Sequence, residues 1–129
     1  MIVKNNWFIF AAEDYKALTA LWKDKQGLYK TICFHSQQYV EKILKGILEN
    51  NNNNPPRIHD ISKLYKECSK YILNIPLLKE EQIFLSSVYI DSRYPPDAGL
   101  LPKGEPTRED AELAVAIADK LKKWLEKQK

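Results

Sequence analysis

Three groups of polar residues in this 129-residue chain have the types and spacing to do chemistry. Gln38, Lys42, Lys45 and Glu49 recur at four- and three-residue steps, which sets them on one helix face, opposite an apolar stripe. That face is either a solvated surface with an intrahelical charge pair or a ledge of donors for an anionic ligand. Arg57, His59 and Asp60 stand where an Asn/Pro loop enters a helix. There His59 either orders the turn beside a capping Asp or meets a phosphate, because free backbone N–H groups gather at helix starts. Asp91, Ser92, Arg93, Tyr94, Pro95 and Asp97 form the third group. An Arg closing a helix can serve as a dipole partner. The stiff Arg-Tyr-Pro-Pro stop also fixes the directions of a guanidinium, which offers phosphate a planar fork, and of a ring able to stack on a base. Asp91 and Asp97 flank that turn without a dedicated ligand spacing, so no metal is expected.

One further carboxylate stands out. Asp14 falls beside the apolar face of the first helix, between Ala11 and Tyr15. An unpaired buried charge is costly, so an Arg or Lys from another helix is expected to meet it.

Five helices must position these groups. Phe8, Ala11, Tyr15, Leu18 and Trp22 recur at three- and four-residue steps and predict a helix over about Asn6–Lys25, broken by Gly27. The second, about Leu28–Glu49, carries the widest stripe: Ile32, Val40, Ile43, Leu44, Ile47 and Leu48, with Phe34 and Tyr39 flanking it. A stripe so broad suits a central helix or one that also lines a dimer contact. The run Asn50–Asn54 and the prolines 55 and 56 end it. A third helix starts at Asp60, a good N-cap, and reaches about Leu73. Pro76 suits the first turn of a fourth, which must stop near Tyr94 because two prolines follow. Residues 98–106 read as a loop. The last helix opens on Thr107 and Asp110 at capping-box spacing, and its stripe is rich in alanine. No strand-type alternation and no internal repeat appears. The expectation is a single all-α domain, an antiparallel up-and-down bundle of about five helices.

Bulk properties agree. The chain is 44% hydrophobic and 29% charged, too apolar for a disordered protein. A net charge of +3 permits contact with phosphate without demanding it. Cys33 and Cys68 lie in apolar-periodic segments with no CxxC, and read as buried free thiols. The stretch Met1–Trp7 has no signal-peptide layout and no apolar run spans a bilayer. A cytoplasmic location and no membrane contact are expected.

Four segments together resemble a known family. Ala12-Glu13-Asp14-Tyr15 is similar to its A-x-D-aromatic/aliphatic opening. The run Gln37-Gln38-Tyr39-Val40-Glu41-Lys42-Ile43-Leu44-Lys45 is similar to its Q-x-x-E-K-x-x-K signature. His59-Asp60-Ile61 is similar to its T-H-D-L step, with Ile58 where Thr is common. Tyr89-Ile90-Asp91-Ser92-Arg93-Tyr94-Pro95 is similar to its closing Y-x-x-x-R-Y-P. These mark the HEPN domain, named for its occurrence in higher eukaryotes and prokaryotes and for suspected nucleotide binding. The resemblance runs from about Ala11 to Ala118. It implies an antiparallel bundle, usually a homodimer. Small stand-alone members often occur with a separately encoded minimal nucleotidyltransferase, in pairs commonly read as toxin–antitoxin modules. Many members are metal-independent RNases with an Arg-x4–6-His motif completed across the dimer. This chain departs from that motif: Arg93 is followed by Tyr-Pro-Pro-Asp-Ala-Gly-Leu, and its two histidines are His35 and His59.

The resulting expectation is a HEPN-type homodimer that binds a nucleotide or RNA phosphate through Arg93, Tyr94, His59, Lys42, Lys45, Gln38 and Asp91, with a nucleotidyltransferase as partner and without a cofactor. Two other readings stay open. One is a metal-independent RNase in which Arg93 steadies charge and His59 supplies the base. The other is an interaction bundle that docks a partner through Phe34 and Tyr39.

Overall fold

The computed structural model describes residues 4–93 and 105–128, with residues 89–93 described in backbone only. Five helices follow one another: α1 Asn6–Asp24, α2 Tyr29–Asn50, α3 Ile61–Cys68, α4 Lys79–Arg93 and α5 Arg108–Glu126. No strand occurs among the described residues.

Local chemistry sets most of the boundaries. Asn5 caps α1: its side chain accepts from the backbone N–H of Trp7 at 3.0 Å. Lys25 and Gly27 take positive φ angles of 56° and 74°, so the chain turns out of the helix there. Asp60 caps α3 by accepting from Lys63 N–H at 3.1 Å. Thr107 and Asp110 form the expected capping box of α5, with reciprocal bonds of 3.2 and 2.8 Å.

Two expectations about the middle of the chain fail. α3 ends at Cys68, short of Leu73. Its last carbonyls are closed by tight bonds from Tyr71 and Ile72 back to Cys68, and Asn74 takes a left-handed φ of 65°. Pro76 does not open α4 either. Leu77 folds back on Ile75 with a 2.8 Å backbone bond, and the Leu78 N–H donates to Glu81 Oε1 at 2.9 Å. That side-chain cap starts the helix three residues after the proline.

α2 is the central element. Thirteen of its residues are buried, and α1, α3, α4 and α5 all pack on it. α1 runs antiparallel to it: Asn5 Nδ2 donates to Gly46 O at 3.0 Å, while Asp14 meets Lys42 and His35 further back. α5 runs parallel to α2, since Glu105 lies by Lys30 and the Ser36 hydroxyl donates to Ala114 O at 2.7 Å. α4 begins beside the second half of α5, where Lys120 donates to Glu81 at 2.7 Å, and packs back along α2. α3 bridges α2 and α4: the Cys68 thiol donates to Leu44 O, and the Ile61 N–H to Ser86 Oγ, each at 3.1 Å.

The core holds Leu18, Ile32, Ile43, Leu44, Ile47, Leu48, Ile61, Leu64, Leu85, Ile117 and Leu121, all fully buried. Alanines 111, 114 and 118 let α5 lie close against α2. Tyr39 is 3% exposed. It belongs to this core, which corrects the reading of it as a surface contact; its ring packs 5.5 Å from that of Tyr15. Both cysteines are buried and free.

Candidate functional site

The polar face expected on α2 divides into two clusters, each built on a buried carboxylate. Glu41, 4% exposed, centres the first. It accepts from Gln37 Nε2 at 2.8 Å, from Lys45 Nζ at 3.0 Å and from His59 Nδ1 at 3.0 Å. Gln38 extends the chain by donating to Gln37 Oε1 at 2.8 Å. Because an ionised carboxylate only accepts, the His59 proton is assigned to Nδ1. The His59 side chain is 49% exposed, so the imidazole reaches the surface while Glu41 and Lys45 stay buried. The Lys45 ammonium also sits 5.5 Å from the centre of the Trp7 ring, a cation–π distance.

Asp14, 7% exposed, centres the second cluster. It accepts from Lys42 Nζ at 2.6 Å and from His35 Nδ1 at 2.8 Å. Burial raises the Asp14 pKa, but the hydrogen bonds and charges of His35 and Lys42 outweigh it and hold the carboxyl below its usual value. The expected lysine partner is therefore present, and a histidine joins it.

This arrangement corrects the shared ledge of lysines. Lys42 turns to α1, whereas Lys45 is 5% exposed and committed to Glu41. Glu49, the fourth residue of that ledge, is exposed. The structure does bring Gln38, Lys45 and His59 into one hydrogen-bonded network. Asp91 and Arg93 close α4, which packs on both α2 and α3; their side chains, and all of Tyr94, lie outside the described residues, as do Asp97 and most of the expected 98–106 loop.

Sequence reasoning overlooked Gln37, Glu41 and His35 as site residues. The signal for the first two was present: Gln37, Glu41 and Lys45 recur every fourth residue beside the apolar positions Val40, Leu44 and Leu48. Polar side chains at that period on a buried stripe must satisfy one another. Nothing local marked His35, whose partner lies in another helix. Among the described residues, no group of three His, Cys, Asp or Glu side chains converges as metal ligands.

An all-α bundle with polar networks buried along its central helix defines the class of protein. The HEPN domain model matches residues 5–128, and the chain belongs to the HEPN family. Two solved structures share the fold over nearly their whole length. TT1696 from Thermus thermophilus is 25% identical, with a TM-score of 0.72 and 94% of each chain covered. ST0689, an archaeal HEPN homologue, is 27% identical, with a TM-score of 0.66 and 98% of each chain covered. No curated protein matches the chain. No helix among the described residues is long and apolar enough to cross a membrane.

Proposed function

We propose that this HEPN protein, as a homodimer, binds a nucleotide or RNA phosphate through His59 at the entry to α3 and Arg93 at the end of α4, and works with a nucleotidyltransferase partner in a toxin–antitoxin-type pair. The observation that carries the reading is the hydrogen bond from His59 to Glu41. The buried carboxylate holds the half-exposed imidazole in one orientation at the entry to α3, where backbone N–H groups also gather for an anion. Arg93 ends the helix that packs on both α2 and α3, and an Arg there would add a bidentate fork. Lys45 acts in this scheme by balancing Glu41, not by touching phosphate. Family membership supports the nucleotide-binding class, an inference by analogy.

The test is equilibrium binding of labelled ATP and of a short RNA. Arg93→Ala and His59→Ala should each weaken binding at least tenfold. Undiminished binding in Arg93→Ala would refute the reading. Co-expression with a nucleotidyltransferase encoded next to this chain should recover both proteins in one complex.

One observation also favours the RNase reading. Glu41 orients the half-exposed His59 ring through Nδ1, as a buried carboxylate orients a histidine base. Purified protein incubated with tRNA and EDTA should then cleave it, and His59→Ala should not. No cleavage at high protein concentration removes this second reading.

A further inference from the structure

A cavity of about 230 Å³ opens where the turn between α1 and α2 meets the first turn of α5. Leu21, Trp22, Lys25, Gly27, Tyr29, Ile32 and Arg108 line it. Neither His59 nor Glu41 contributes. The lining is unusual in its chemistry: two half-buried aromatic rings, two exposed cations and no acidic side chain. The Arg108 guanidinium lies 5.5 Å from the centre of the Trp22 ring. Neither Lys25 nor Arg108 joins any ion pair found among the described residues, whereas Lys30 beside them leans on Glu105 at 3.9 Å.

We propose that this cavity binds a small planar anion, a one- or two-ring aromatic group carrying a phosphate or a carboxylate. Volume sets the size, because pockets for drug-sized ligands hold roughly 300–1,000 Å³ and this one is smaller. Trp22 and Tyr29 supply flat apolar faces for the ring. Lys25 and Arg108 supply the counter-charge, with Arg108 already held by the indole and so partly ordered before the ligand arrives. Pairing with the anion gives both cations the partner they lack among the described residues.

The experiment is titration of the full chain with 1-naphthyl phosphate and with naphthalene-2-carboxylate, read by ligand-observed NMR and tryptophan fluorescence. 2-Naphthol tests the ring without the charge, and inorganic phosphate the charge without the ring. At least one of the two aryl anions should bind at least tenfold more tightly than either control, and the one that does identifies the anionic group. Arg108→Ala and Lys25→Asn should each reduce that affinity at least tenfold. Asn accepts the left-handed backbone at Lys25, and both side chains are exposed, so circular dichroism should show intact folds. Equal or absent binding of all four probes, or full affinity in Arg108→Ala, would each overturn the proposal.

Discussion

His59 Nδ1 lies 3.0 Å from Glu41 Oε1, across the packing of the α3 entry against α2. The same carboxylate takes the Lys45 ammonium through its other oxygen at 3.0 Å. The two partners differ in burial: the Lys45 side chain is 6% exposed and that of His59 49%. Their energetic roles should differ accordingly.

Glu41→Ala should destabilise the fold by about 3–5 kcal/mol, because it strands the Lys45 charge in the interior. His59→Ala should cost about 1 kcal/mol or less, since its half-exposed ring can exchange the Glu41 bond for water. Replacing Glu41 and Lys45 together by Met should recover most of the loss. Urea melts of the four proteins check this, and a Glu41→Ala variant as stable as the parent would contradict it.

Asp14 makes the fold sensitive to acid. Its folded pKa lies below the ordinary 3.8, so as pH falls the unfolded chain takes up the proton first. The contribution to stability is full above pH 3.8 and disappears as pH drops through the folded value. Asp14→Asn should therefore flatten the acid limb of a stability-versus-pH curve, measured at constant ionic strength. An unchanged slope would mean that the His35 and Lys42 contacts contribute nothing.

Gly46 is a contact residue. A Cβ built there would lie 2.9 Å from Phe8 Cζ and 3.0 Å from Cε1, and Phe8 is 6% exposed. Gly46→Ala should destabilise by about 1–3 kcal/mol through overpacking. In a Phe8→Ala background the same change should be neutral or stabilising by up to about 1 kcal/mol, the helix-propensity gain of Ala over Gly. A double-mutant cycle measures the difference; additive effects would show that the ring moves aside freely.

Burial pushes the thiols of Cys33 and Cys68 up to about 12. With so little thiolate at neutral pH, neither should react with iodoacetamide in the native protein. Both should be labelled at rates that track unfolding in urea. Rapid labelling of the native chain would place at least one thiol at the surface.

Much of the fold was legible because its signals are local. The period of Phe8, Ala11, Tyr15 and Leu18 marks α1, and the Thr107–Asp110 box marks the start of α5 to the residue. The end of α3 was not legible, because Lys70 to Leu73 remain acceptable helix formers and only the turn that closes Tyr71 and Ile72 on the Cys68 carbonyl diverts them. The same limit hid the fate of the lysines. Positions 42 and 45 stand about 60° apart around a helix axis, close enough to share a face on a wheel. That rotation is also enough to send Lys42 to Asp14 of α1 and Lys45 to Glu41 and Trp7.

By itself the sequence determined that there are five helices, the caps of α3 and α5, the burial of both cysteines and the HEPN resemblance, all consequences of spacing along one chain. Tertiary structure alone decided which carboxylate each cation meets, and so which polar groups stay available to a ligand. The physical reason is that a charge is neutralised by whatever approaches within a few ångströms, and residues 14 and 42, or 41 and 59, become neighbours only when the helices pack.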